Sequence, residues 1–282
     1  MFSGTSKKSA LKSLLLLWTS FGLVVWVYLM LLGYATFEYN FSPPVFAHWE
    51  LLENQYLYAW IHLFVFLPVF LLSFDKKVYY ASRWKFLFPA IVFIAIPFLI
   101  WDHFFTSGGV WEFNEIYLSG FRIFSLPWEE IMFFITVPFA CVFIYDCINA
   151  YFPSNPLVKN ERTITLSLLI ILLIFGLIHY REMYTLTACL IAILSILWVK
   201  GRGEIAFLAW FYRAFLVVLI PFVFTDGILT GGYTNEPIVL YNHDHFSGLR
   251  LVSIPVEDFI YGFALLLQVN YLYVLFQRKK AN

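Results

Sequence analysis

The segments IPFLIWDHFFTSGG (96–109) and GFRIFSLPWEE (120–130) return in the second half of the chain as IPFVFTDGILTGG (220–232) and GLRLVSIPVED (248–258). Shared residues lie 124 positions apart in the first pair of segments and 128 apart in the second. The matches include proline, glycine and charged residues, which shared hydrophobicity alone does not produce. The sequence therefore predicts a direct duplication.

The composition is that of a polytopic membrane protein. Hydrophobic residues make up 61% of the 282 residues and charged residues only 13%, which is too apolar for a soluble domain. The net charge is zero, so a nucleic-acid-binding surface is not expected. Cys141, Cys147 and Cys189 lie in apolar runs without metal-site spacing, and we expect them to be packing residues.

Eight apolar runs are long enough to cross, or nearly cross, a bilayer, and the fold class predicted is an all-α membrane helical bundle. The runs are 13–33, 56–74, 86–101, 129–147, 164–180, 183–199, 206–225 and 258–276. Lysine and arginine concentrate in alternate loops, which predicts cytoplasmic termini and places both repeated motifs on the opposite side.

Tandem three-helix repeats in the same orientation account for this order of helices. Units of three helices joined directly would point in opposite directions, so the fifth helix is expected to restore the orientation. The predicted domains are an extra helix and loop at 1–50, a first repeat at 51–150, a linker helix at 151–181 and a second repeat at 182–282.

Each repeat contains a proline followed, two residues on, by two acidic residues at the start of an apolar helix. Capping explains one such copy, since proline suits the first helical turn and acids complement the helix dipole. Two doubled acids exceed that need, and carboxylates beside hydrocarbon are functional candidates. We predict that Glu129, Glu130, Glu257 and Asp258 are catalytic. Glu129 and Glu257 are expected to meet across the seam, which is the contact between the two repeats, as a general acid and a general base.

Other residues near the motifs have two readings. Glu130 and Asp258 are expected to support the site, and Arg122 and Arg250 either bind them or anchor their loops.

A second repeated acidic pair, Asp102 and Asp226, is expected mainly to fix the loops. Candidate residues for stabilising a cation through their ring faces are Trp128, Phe133, Phe134 and Tyr261. We expect no metal and no cofactor, because the chain has neither a metal-ligand set nor a dinucleotide or phosphate-loop motif.

The motifs HLFVFLP, WDHFF with GVWEF, PWEEIMFF and IPVEDFIYGF resemble the integral-membrane lycopene cyclases of the heterodimeric type, with both subunits fused. The resemblance covers about residues 55–276 and leaves the first helix outside. It implies a lycopene β-cyclase, a cofactor-independent isomerase that closes the linear ends of lycopene to β-ionone rings. In this mechanism Glu129 or Glu257 protonates a terminal double bond and a second carboxylate removes a ring proton.

The resemblance also implies a location and partners. The location is a bacterial cytoplasmic membrane, with lycopene, related linear carotenoids and membrane lipid as partners, and a second copy or other carotenoid-pathway enzymes beside them. A proton-coupled transporter or channel and a catalytically silent assembly subunit stay open as alternatives. Scattered helix prolines, of which only Pro97 and Pro221 match, argue against a transporter.

Overall fold

The computed structural model describes residues 7–32 and 47–278, and the helices in this part of the chain confirm the predicted all-α bundle. They are α1 (Lys7–Leu32), α2 (Leu57–Leu72), α3 (Trp84–Ser107), α4 (Trp128–Tyr151), α5 (Glu161–Ile178), α6 (Met183–Lys200), α7 (Ile205–Leu229) and α8 (Val256–Gln277). All except α2 are long and apolar enough to span a membrane, and α2 is a shorter apolar helix.

The helices α3 and α7 continue past their predicted runs into the polar region of the bundle. The prediction ended the third helix at 101 and the seventh at 225, whereas α3 continues to Ser107 and α7 to Leu229. The added turns contain Asp102 and Asp226, which are buried inside the bundle. Hydropathy marks only lipid-compatible segments, so it misses helical turns whose polar side chains face other protein groups.

The two repeats pack as related halves. In the first, α4 packs against α2 and α3, and in the second α8 packs against α6 and α7. Across the seam α3 contacts α8, α7 contacts α4, and α4 contacts α8. The linker helix α5 packs against α6 and α7, while α1 packs against α6. The domain boundaries stated above stay predictions.

A short antiparallel sheet marks the symmetry axis between the halves. Strand β1 (Trp111–Phe113) pairs with β4 (Val239–Tyr241), and Glu112 lies opposite Leu240. These two residues are themselves 128 positions apart. A two-fold rotation exchanges antiparallel strands, so the pseudo-two-fold axis passes between Glu112 and Leu240.

Matching hairpins lead into α4 and α8. Strands β2 (Arg122–Ile123) and β3 (Leu126–Pro127) pair in the first half, as β5 (Arg250–Leu251) and β6 (Ile254–Pro255) do in the second. Gly120 and Gly248 precede them with φ values of 86° and 75°, a conformation that glycine adopts without steric cost. Proline then provides the extended residue from which each helix begins.

Candidate functional site

Four carboxyl groups line one buried cavity at the seam. The cavity has a volume of about 60 Å³ and lies between α3, α4, α7 and α8, with residues of β1 and β4 in its wall. Asp102, Glu130, Asp226 and Asp258 are each less than a tenth exposed. Carboxyl groups this far from water are costly unless other polar groups bind them, so their hydrogen-bond partners define the site.

Two of the carboxyl groups have equivalent tyrosine donors. The Tyr58 hydroxyl donates to Glu130 Oε2 over 2.6 Å, and the Tyr184 hydroxyl donates to Asp258 Oδ1 over the same distance. The two tyrosines lie 126 positions apart, in the first turns of α2 and α6. Each repeat therefore supplies its own tyrosine–carboxyl pair.

Further donors make the halves unequal. Asp258 also accepts a hydrogen bond of 2.8 Å from the Tyr241 hydroxyl, whereas the residue 128 positions earlier is Phe113. Burial and the nearby Asp258 keep the pKa of Tyr241 well above its ordinary value, so its hydroxyl stays a donor. In the other half, the Trp111 indole donates to Asp102 Oδ1 over 2.8 Å.

Asp226 and Asp258 line the same cavity from α7 and α8, and their hydrogen-bond partners differ. Asp258 accepts from two tyrosine hydroxyls, one on each of its carboxyl oxygens. The Oδ2 atoms of Asp226 and Asp102 are buried and have no hydrogen-bond partner among the described residues.

Glu129 and Glu257 lie outside this cavity, so the structure does not bring them together across the seam. Each accepts a backbone N–H bond of 2.8 Å from its own loop, Glu129 from Ser119 and Glu257 from Ser247. Thr185 also donates to Glu257. Adjacent helical residues project about 100° apart, and Glu130 and Asp258 are the members of each pair that face the cavity.

This geometry predicts a loop-anchoring role for Glu129 and Glu257. Glu257→Gln keeps an oxygen that can accept from Ser247, so we expect lycopene turnover within about tenfold of the parent. Glu257→Ala removes the acceptor and should lower the midpoint of thermal unfolding by about 2–4 °C or more. Turnover assays and thermal unfolding in detergent check both, and a loss of turnover in Glu257→Gln as large as that in Asp258→Asn would contradict the anchoring role.

Both arginines close their own hairpins, which matches the anchoring interpretation. Arg122 donates to the Ser125 carbonyl over 2.7 Å and forms an ion pair with Glu115. Arg250 donates to the Ser253 carbonyl. Its guanidinium also lies 5.7 Å from the ring centre of Tyr241, so the second arginine is one side chain away from Asp258.

The aromatic candidates divide between the cavity and its surroundings. Phe133 and Tyr261 line the cavity. Phe134 is buried behind them, with its ring centre 6.5 Å from that of Tyr261. Trp128 donates its indole N–H to Ser119 and stabilises the loop. Asp102 and Asp226, expected to fix the loops, instead direct carboxyl groups into the cavity.

Tyr58, Tyr184, Tyr241 and Trp111 are site residues that the sequence reasoning missed. The recurrence of Tyr58 as Tyr184 was a usable signal, but it appears only when the duplication is extended back to α2 and α6 at an offset of 126. Tyr241 and Trp111 have no equivalent donor in the other half. Only the β1–β4 pairing brings them over the carboxyl groups.

An apolar groove leads from the carboxyl cavity to the lipid-facing surface. It runs between α2, α4 and α7 with a volume of about 200 Å³, and shares Tyr58, Phe133, Phe222 and Asp226 with the cavity wall. A wider depression of about 510 Å³ between α2 and α7 continues it outward. We call this path the open groove.

Comparison with known proteins identifies the family. The sequence model described as lycopene cyclase matches residues 55–148 and 180–276, which are the two repeats and more than half of the chain. Neither a curated protein nor a solved structure matches the chain. The repeats that build the carboxyl cavity are thus the matched segments, and the chain belongs to the lycopene cyclase family.

Proposed function

We propose that this protein is a lycopene β-cyclase that closes both ends of lycopene to β-ionone rings by acid–base chemistry in the carboxyl cavity. The observation that supports this most directly is the convergence of four carboxyl groups, two from each repeat, on one cavity. Like charges in one site disfavour ionisation of all of them together, so in this proposal the cluster holds a proton. A proton donor and a base therefore share one site.

Asp226 is the proposed proton donor because the open groove reaches it first. Of the four cavity carboxyl groups, Asp226 alone also lines the groove among the described residues. Its proton adds to the terminal double bond of lycopene and leaves a tertiary carbocation. The neighbouring double bond attacks that carbon, which closes a six-membered ring and moves the positive charge onto a ring carbon.

Glu130 or Asp102 is the proposed base. Removal of a proton from the ring carbon next to the charge forms the ring double bond, so one proton is gained and one lost with no net redox change. The anionic Asp258 and the ring faces of Phe133 and Tyr261 stabilise the cation between these steps. Transfer of the ring proton from this base to Asp226 then restores the proton donor.

The open groove is the proposed binding site for the polyene chain. Its walls are almost entirely apolar, and it is continuous with the acids. Lycopene is about as long as the hydrocarbon core is thick, ~30 Å, so one end reacts while the other extends into the membrane. The one-ring product should therefore appear before the two-ring product in a time course. Simultaneous formation of both rings without that lag would contradict a single site.

The proposed setting is the bacterial cytoplasmic membrane, with both termini in the cytoplasm and the cavity near the exoplasmic side. Support comes from the distribution of lysine and arginine between alternate loops. Lycopene, related linear carotenoids and membrane lipid are the proposed partners. Association with a second copy or with other carotenoid-pathway enzymes is part of the same proposal.

Pigment analysis tests the proposed function. A lycopene-accumulating host that expresses this chain should convert lycopene to the carotene with two β-ionone rings, as identified by chromatography and mass spectrometry. An unchanged pigment profile with the protein present in the membrane would favour a transporter or a silent assembly subunit. Products with a different ring double bond would support cyclisation but contradict the β assignment.

Tyr241→Phe should lower turnover without unfolding the protein. The variant removes one donor to Asp258, and its counterpart Phe113 shows that the fold accepts phenylalanine at this position of the sheet. We expect a decrease of about tenfold to a hundredfold in turnover, since a hydrogen bond to a charged group contributes roughly 1.5–3 kcal/mol. Initial rates of lycopene loss in membranes, normalised to protein level, measure this decrease. An unchanged rate would show that Tyr241 has no part in turnover.

A further inference from the structure

The pseudo-two-fold axis relates the open groove to a second position between α6, α8 and α3. There Trp101 corresponds to Thr225, and Gln268 corresponds to Ala140. The two halves therefore contain the same groove framework but different lining residues. Helix α1, which lies outside the matched repeats, packs over this second position.

One face of α1 is built to pack against protein. Its buried side chains recur every three or four residues, which places them along one stripe of the helix; they are Ala10, Leu14, Leu17, Phe21 and Val25. The opposite face exposes large apolar side chains, including Leu15 and Leu23. In a bilayer this second face contacts lipid, so α1 lies at the rim of the bundle.

Two aromatic side chains of α1 fill the second groove. The ring centre of Trp18 lies 4.8 Å from that of Phe98, and the ring centre of Phe21 lies 5.1 Å from that of Trp101. Trp101 in turn packs 4.8 Å from Tyr261, which lines the carboxyl cavity. The aromatic contacts thus run without a break from α1 to the catalytic wall.

A chain of polar groups fixes α1 in this place. The Trp18 indole donates to Gln268 Oε1 over 3.0 Å, and the Gln268 amide donates to Ser195 Oγ over 2.8 Å. A buried amide within the hydrocarbon region needs such partners. The corresponding residues of the open groove are Ala140 and Val69, which need none.

We propose that α1 plugs a second, symmetry-related groove, so that the polyene reaches the carboxyl cavity from the open groove alone. This rests on the proposed function of the open groove as the polyene site. Without the plug, the duplicated fold would offer two symmetry-related paths to the acids. With it, every chain end arrives on the Asp226 side, and Asp102 is on the closed side.

Thiol labelling of protein whose α1 sequence is unchanged tests the plug without requiring cyclase activity. In a background with Cys141, Cys147 and Cys189 replaced by alanine, a single cysteine is introduced by Val137→Cys or by Leu265→Cys. These positions are 128 apart, and Val137 lines the open groove while Leu265 is fully buried. A small membrane-soluble maleimide should label the first at least about tenfold faster than the second, since buried sites react only on opening.

Removal of the plug should then expose the second site. Trp18→Ala/Phe21→Ala is expected to raise labelling of the Leu265→Cys protein at least about tenfold, whereas Leu16→Ala/Leu23→Ala, at exposed residues of the opposite face of the same helix, should leave it unchanged. Equal labelling of the two cysteines in protein with intact α1 would overturn the plug, and so would no increase in a folded double variant. If the labelling pattern is as expected but the host's lycopene is not converted, the result would count against the proposed function alone.

Discussion

Asp258→Asn is expected to lower lycopene turnover by about 10²–10⁴-fold, the range that a positioned acid or base contributes. Asparagine keeps the size of the side chain, but it has one accepting oxygen for Tyr184 and Tyr241 where aspartate has two, and it cannot carry the negative charge that is proposed to stabilise the cation. Asp226→Asn should produce a loss of the same order, because the amide has no acidic proton to give. Initial rates of lycopene loss in membranes, normalised to protein level, measure both.

Glu257→Gln is the matched control for this prediction, since it changes the preceding residue of the same helix turn and lies outside the cavity. The double variant Asp226→Asn/Asp258→Asn should be little slower than either single variant, because the two carboxyl groups act as one unit. Multiplicative losses would show that the two acids act independently. Normal turnover in Asp258→Asn would remove the pair from the mechanism.

Thr225→Trp is expected to reduce turnover at least about tenfold, because the indole would fill the open groove at the point where the groove meets the carboxyl cavity. The substitution copies the residue that the second half already has at this position, Trp101. The α7 backbone should therefore tolerate the change, as α3 does. Thr225 lines both the groove and the outer depression, so the indole would stand across the path that these two spaces form between lipid and Asp226.

Thr225→Val separates blockage from the loss of the hydroxyl, which bonds only to carbonyl groups of its own helix. The valine variant should turn over lycopene at close to the parental rate. If the block acts on access, shorter linear polyenes should be converted with the same relative loss, while thermal stability stays unchanged. Parental turnover in Thr225→Trp would place polyene binding elsewhere.

The repeat and the apolar runs were sufficient to predict the architecture, because both depend on local sequence. Spacing of apolar residues sets which segments cross a bilayer, and the matched prolines, glycines and acids identify equivalent positions in the halves. The site region was also predictable to this extent: the acids at the start of α4 and α8 and the aspartates of α3 and α7 all belong to the repeated segments. Their membership of one cavity depends on how the halves pack.

Which acid of each pair faces the cavity was not readable from the sequence. Glu129 and Glu130 are the same residue type. Only the rotation of α4, which is set by its packing on α2, α3 and α7, turns Glu130 into the cavity and Glu129 toward Ser119. The same holds for Glu257 and Asp258 on α8. The expected meeting of Glu129 and Glu257 across the seam does not fit this rotation of the helices, and their loop-anchoring role is a prediction.

The duplication, the helices and the family follow from patterns within segments of the chain. Tertiary structure decided the chemistry of the site. The carboxyl cavity joins helices of both repeats, Trp111 and Tyr241 meet through the pairing of β1 with β4, and α1 packs against α3, α6 and α8. Hydrogen bonds and ring contacts extend only a few ångströms, so they arise only once distant segments have packed together.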